Sequence, residues 1–134
     1  IVDFPDAETV NCDGIIAIPH LGASTEESED NCAMMAAQEI KDYLENGNIT
    51  NSVNFPNCTL QSEAAGRVAI AHRNIPKVIA QYTDILSDVN ISDMINKSKG
   101  DVAYTIINTD HAIPADAVEK LKGLDSVLSV RVIK

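Results

Sequence analysis

Apolar positions along the chain change period several times, and each change marks an element. After Asp13-Gly14, the unbroken apolar run Ile15-Ile16-Ala17-Ile18 predicts a strand buried on both faces of a parallel sheet, ending at Pro19-His20. Ser24-Thr25-Glu26-Glu27 then offers a capping box from Ser24 to Glu27, with carboxylates at the positive end of a helix. Cys32, Met35, Ala36, Ile40, Tyr43 and Leu44 recur at spacings of three and four, which predicts a long helix with one buried stripe. Asn46-Gly47 supplies its stop. Pro56 and the polar stretch 57–63 read as a connection, with Gly66 at its far edge, and the boundary between two domains is expected there.

Beyond that boundary the pattern is compact and repetitive. Val68 and Ile70 alternate as a strand, and Asn74-Ile75-Pro76 reads as a helix start with Asn74 as cap. Val78, Ile79, Tyr82, Ile85, Leu86 and Val89 form a helical apolar face. Ile91 to Lys99 is a strand, Lys99-Gly100-Asp101 a hairpin turn, and Val102 to Asn108 a stronger strand with Val102, Tyr104 and Ile106 on one side. Pro114 opens a second helix that carries Ala117, Val118 and Leu121 inward and ends at Gly123, and Leu128, Val130 and Val132 alternate as a last strand. The order is βαββαβ, an α+β fold of ferredoxin-like type: a four-stranded antiparallel sheet with two helices on one face.

Charge separates the same two regions. Residues 1–64 hold twelve acidic side chains against Lys41 alone, a net of −11, whereas residues 65–134 hold eight acidic and nine basic ones, a net of +1. No clustered cationic face is present for phosphate, which excludes a nucleic-acid partner. No apolar run approaches the roughly 20 residues that span a bilayer, so no membrane partner is expected. Cys12, Cys32 and Cys58 are odd in number and contain no CxxC, and the three histidines are not spaced to converge on one ion. A reduced, cytoplasmic chain without a metal is the expectation. The chain opens Ile-Val-Asp with neither an initiator methionine nor a signal segment, which reads as a fragment.

Particular residues sharpen this picture. The run Ile18-Pro19-His20-Leu21-Gly22-Ala23-Ser24-Thr25-Glu26-Glu27-Ser28, the long helix, and then Asn51-Ser52-Val53-Asn54-Phe55-Pro56 resemble the end of the catalytic core in D-2-hydroxy acid dehydrogenases, most closely the phosphoglycerate dehydrogenases. The resemblance implies that residues 1–62 are the end of an α/β dehydrogenase core, that His20 is the general acid/base of hydride transfer, and that His20, Leu21, Gly22 and Ala23 line NAD. The chemistry is coherent: a hydroxyl proton must leave when C2 gives hydride to nicotinamide, and an imidazole titrating near neutrality can take it. No GxGxxG occurs, and the family's substrate arginine and histidine-orienting glutamate are expected outside this stretch. The chain by itself is therefore expected neither to bind NAD nor to turn over 3-phosphoglycerate.

Residues 66–134 resemble an ACT domain, the βαββαβ module that binds amino acids and pairs with copies of itself. The loop Ala71-His72-Arg73-Asn74-Ile75-Pro76 matches that family's effector loop, and Val89-Asn90-Ile91 the start of its second strand. The resemblance implies a homodimer in which His72 and Asn74 of one subunit and Asn90 of its neighbour contact an amino-acid effector, L-serine in phosphoglycerate dehydrogenases. One position departs from the family: Lys77 follows Pro76 where glycine is usual, placing a side chain where bare backbone permits close approach.

Overall fold

The computed structural model describes residues 1–61 and 63–134; Ser62, the last residue of the first expected domain, lies outside the described residues. The chain divides into two compact units, Ile1–Gln38 and Glu39–Lys134. The division falls within helix α1 (Glu26–Asn46), and the expected break at 62–66 lies inside the second unit.

In the first unit the expected strand at Ile15–Ile18 is reduced to a single parallel bridge between Val2 and Ala17. It is made by Val2 N–H to Ile16 O and Ile18 N–H to Val2 O, both 2.9 Å. The cap of α1 is Thr25 rather than Ser24. Thr25 Oγ1 accepts from Ser28 N–H at 3.2 Å, because the helix starts one residue later than the Ser24–Glu27 box implies. The predicted stripe on α1 is not buried: Met35, Ile40 and Leu44 are each more than half exposed, and no residue of the helix is buried. The residues of the helix that are half-buried are polar, Ser28, Glu39, Asp42 and Asn46, so the packed side is not the apolar stripe: periodicity reports which side of a helix is apolar and not what lies against it.

The second unit is built on strands β1 (Gly66–Arg73), β2 (Ile91–Lys99), β3 (Val102–Thr109) and β4 (Val127–Val132), with helices α2 (Val78–Ile85) and α3 (Ala115–Lys122) in the order β1α2β2β3α3β4. The strands pair antiparallel in the spatial order β2-β3-β1-β4, which leaves β2 and β4 at the edges. One core lies between sheet and helices. Val68, Ile70 and Ile107 meet Val78, Tyr82 and Leu86 from α2 and its C-cap, and Ala117 and Leu121 from α3, as the apolar spacing requires.

The other face of the sheet is covered as well. Ala69, Ala71, Tyr104 and Ile106 form a second buried cluster with Ile49 and Cys58, and Phe55, Leu60 and Ile133 pack at its margin. Ile49 and Cys58 exchange two backbone hydrogen bonds of 2.9 Å, so the segment read as a connection is a short pinned loop. Gly47, at φ +75°, turns the chain into it; a Cβ there would lie 3.1 Å from Ala69 Cβ and 3.3 Å from Ile133 Cγ1.

The last turn of α1 has no basic residue of its own, and the sheet supplies the missing donors. Arg131 Nη1 donates to Tyr43 O at 3.2 Å, Arg67 Nη1 to Asn46 O at 3.1 Å, and Tyr104 Oη to Gly47 O at 2.8 Å. Arg67 is itself buried, with Nε donating to Asn108 Oδ1 at 2.7 Å and Nη2 to Leu60 O at 2.9 Å.

Burial holds the Cys58 thiol up at about 11 against an ordinary 9.0, with Lys97 opposing weakly. A thiol whose folded pKa is raised stabilises the fold below about pH 9, and that contribution is lost as pH rises toward 11. Native chain should therefore alkylate at the exposed Cys12 and Cys32 while Cys58 stays protected, and Cys58→Ala should flatten the alkaline limb of the stability profile. Mass-mapped iodoacetamide labelling across pH checks both; rapid labelling of Cys58 at pH 8 would show that the second cluster opens.

Candidate functional site

His20 lies in the first unit with its ring stacked on Phe4 at 4.3 Å, and its Nδ1 is 2.8 Å from Asp3 Oδ2. A carboxylate on Nδ1 fixes the ring and leaves Nε2 to face outward, the arrangement a histidine acid/base needs. Both side chains are about half exposed, so the pair is a weak electrostatic contact. No sequence signal identified Asp3, which precedes His20 by seventeen residues. Leu21, Gly22 and Ala23 are exposed, and a Cβ on Gly22 would meet nothing within 4 Å. This stretch forms no cradle, and these residues alone do not fit a dinucleotide, which needs an enclosing cleft.

The predicted effector residues are in the second unit. His72, at the end of β1, is buried at 2% exposure and packs edge-on to Tyr82. Its Nδ1 is 2.9 Å from Arg73 O, which can only accept, so Nδ1 carries the proton. Its Nε2 is 2.9 Å from Thr105 Oγ1, whose hydroxyl can donate to it, and Asn96 Oδ1 lies 3.2 Å from Nε2 and 2.8 Å from the same hydroxyl oxygen. Asn74 does not cap α2. Its side chain instead donates to Gly100 O at 3.0 Å and its backbone N–H to Asp101 O at 2.8 Å, which ties the loop to the β2–β3 turn. Asn90 Nδ2 donates to Asp110 Oδ2, and Asn90 O accepts from Asp110 N–H, at the opposite end of the sheet. An eight-residue strand separates the two ends by roughly 25 Å. His72 is thus enclosed in the fold, Asn74 is exposed beside the β2–β3 turn and Asn90 lies at the far end, so one chain does not gather the three residues.

The position before α2 is held by Lys77 in the left-handed region, φ 70° and ψ 0°. The lysine therefore adopts the backbone that glycine would take without cost, and its side chain is exposed. A cleft opens beside Asn74, lined by Arg73, Asn74, Ile75, Asp101, Val102 and Leu128. Neither Arg73 nor Asp101 forms a side-chain hydrogen bond or ion pair among the described residues, so two opposite charges face one cleft without neutralising each other. Sequence reading missed both, because only the hairpin places the turn residue Asp101 beside the end of β1.

The sheet and its two helices define the class, a ferredoxin-like βαββαβ domain. No protein-family model matches the chain. Over 135 aligned residues, 95% of this chain and 29% of the relative, it is 36% identical to D-3-phosphoglycerate dehydrogenase 2 of Saccharomyces cerevisiae. To the D-3-phosphoglycerate dehydrogenase of Escherichia coli K12 it is 26% identical over 125 residues, 90% of this chain and 30% of the relative. The chain is similar to part of D-3-phosphoglycerate dehydrogenases and spans about three tenths of their length. Among solved structures, the ACT domain from GTP pyrophosphokinase of Chlorobium tepidum aligns at 17% identity and TM-score 0.44, covering 53% of this chain and 99% of that one. No helix among the described residues is long and apolar enough to cross a membrane.

Proposed function

We propose that the chain is the regulatory C-terminal part of an NAD-dependent D-3-phosphoglycerate dehydrogenase, an oxidoreductase that converts 3-phosphoglycerate to 3-phosphohydroxypyruvate at the start of L-serine biosynthesis. Residues 1–62 supply the end of its catalytic core, with His20 as acid/base, and residues 66–134 are an ACT-type domain that dimerises and binds an amino-acid effector, L-serine. The similarity to D-3-phosphoglycerate dehydrogenases over 95% of the chain carries this reading. The cleft beside Asn74 supports it, because Arg73 and Asp101 can take the carboxylate and ammonium of a zwitterion separately. A dimer that set Asn90 of the partner subunit beside His72 and Asn74 would complete the expected contact set. In that assembly the protein is cytoplasmic and NAD binds only where the rest of the dehydrogenase core is present.

A second reading, a dimerisation domain with no effector, is favoured by one observation. Both ring nitrogens of His72 are already engaged inside the fold, so that side chain has no bond to offer a ligand without rearrangement. Calorimetric titration with L-serine, alongside sedimentation, separates the two. A dimer that binds serine and loses that binding on Asn90→Ala supports regulation; a dimer giving no heat at millimolar serine leaves the structural reading. In the same experiments Lys77→Gly should raise stability by about 1 kcal/mol by relieving the left-handed lysine, while leaving the βαββαβ fold intact. A lower melting temperature for that variant would mean the lysine side chain makes a stabilising contact.

A further inference from the structure

On the sheet face away from α2 and α3, a cavity of about 330 Å³ lies between the end of α1, the loop 48–55 and the sheet. Its walls include Glu39, Tyr43, Phe55 and Tyr104, and Ala71 and Ser129 form part of its floor. The volume falls within the range of small-molecule sites. The loop is pre-shaped. Asn51 takes φ 54°, its N–H donates to Asn57 Oδ1 at 2.8 Å, and Phe55 N–H donates to Ser52 Oγ at 3.2 Å. With the Ile49–Cys58 bonds closing its base, little ordering is left for a ligand to impose.

The lining has a distinct chemistry. Glu39 is its one charged residue, it is half-buried, and it has no ion-pair partner among the described residues. One carboxylate oxygen accepts from Asn51 Nδ2 at 2.6 Å, which fixes the group in place without neutralising it. Around it stand three aromatic rings, whose faces attract cations. The cluster already holds one: the Arg131 guanidinium sits 4.2 Å from the centroid of the Tyr43 ring. Arg131 is not among the residues lining the cavity, which leaves Glu39 as the charged group there for a ligand cation to meet. We propose that this cavity binds a small organic cation, an ammonium group on an apolar or aromatic body, with the ammonium at Glu39 and the body against Phe55, Tyr104 and Ile49. An α-carboxylate on the same ligand would lie near Glu39 with no cation in the lining to receive it. The site is therefore separate in place and in chemistry from the zwitterion cleft beside Asn74.

The test uses the 134-residue chain and phenethylamine, followed by amide chemical shifts. Phenethyl alcohol, the neutral counterpart, and L-phenylalanine, which adds the carboxylate, serve as the comparison. Phenethylamine should shift Thr50, Asn51, Ala71 and Ser129 and bind about tenfold more tightly than either control. Glu39→Gln retains an oxygen for Asn51 and should erase the preference for the amine without changing the melting temperature. The proposal is overturned if the alcohol binds as well as the amine, if L-phenylalanine is preferred, or if the shifts map elsewhere. Unchanged amine preference in Glu39→Gln would also overturn it. The three-ligand comparison on unmodified chain decides the matter even should that variant fail to fold.

Discussion

Arg67→Met is expected to lower the stability of the Glu39–Lys134 unit by about 3 kcal/mol, most of it from stranded hydrogen-bonding partners rather than from lost volume. Methionine keeps an apolar stem of similar reach along the same path. What disappears is the guanidinium, which donates to Asn46 O, Leu60 O and Asn108 Oδ1 from a position only 3% exposed. Two of those acceptors are backbone carbonyls, one in the last turn of α1 and the other just before the chain enters the sheet. Both of these bonds are part-buried, so each carbonyl that loses its donor bears part of its desolvation penalty, while the bond to Asn108 is buried and bears it more fully. Arg131→Met is the internal comparison: its bonds to Tyr43 O and Leu44 O are long, at 3.2 and 3.4 Å, and exposed, so that change should cost under about 1 kcal/mol. Urea unfolding of the 134-residue chain measures both. Equal losses from the two substitutions would mean that Arg67 is not the clamp this geometry describes.

The same arginine shows where sequence patterns stop being informative. The order of elements after Gly66 follows directly from period changes, and β2 occupies the expected residues, Ile91–Lys99. Alternation at Val68 and Ile70 identified one face of β1, yet residues Gly66 to His72 are all buried. The run Val68-Ala69-Ile70-Ala71 and the pair Ile106-Ile107 already carried that message, since strands covered on both sides lose alternation. The covering segment itself was hidden by its polarity. Asn48 is buried because its amide donates to Asp42 while its oxygen accepts from Leu60 N–H, and a polar residue satisfied by distant partners looks, in sequence, like a loop residue. The site divides in the same manner. The segment from His72 to Asn74 was expected as one loop, but His72 belongs to β1, and its burial depends on Thr105 and Asn96, 33 and 24 positions away. Which side chain faces inward there was settled by cross-strand register and not by local pattern.

The largest effect should come from cutting the chain where its composition changes. Residues 66–134 contain every strand and both helices of the βαββαβ domain, and periodicity alone says that they are a complete folding unit. The structure adds what that piece would lose. Without residues 39–65, the face formed by Ala69, Ala71, Tyr104 and Ile106 gives up Ile49, Cys58, Phe55 and Leu60, and Arg67 gives up both of its carbonyl acceptors. Burial of each large apolar side chain contributes roughly 1.5–3 kcal/mol. Even with partial solvation of Phe55 and Leu60 counted against it, the loss approaches about 5 kcal/mol, comparable to the whole stability of an ordinary domain. A chain of residues 39–134 should therefore unfold cooperatively in urea, whereas residues 66–134 should have a far lower midpoint. The shorter chain should also self-associate as its concentration rises, because the uncovered face is a contiguous apolar patch. Sedimentation of the two chains over a range of concentrations, with their unfolding curves, gives the answer. Matching midpoints and a monodisperse 66–134 would show that the second cluster adds little, and that the sheet is held by α2 and α3 alone.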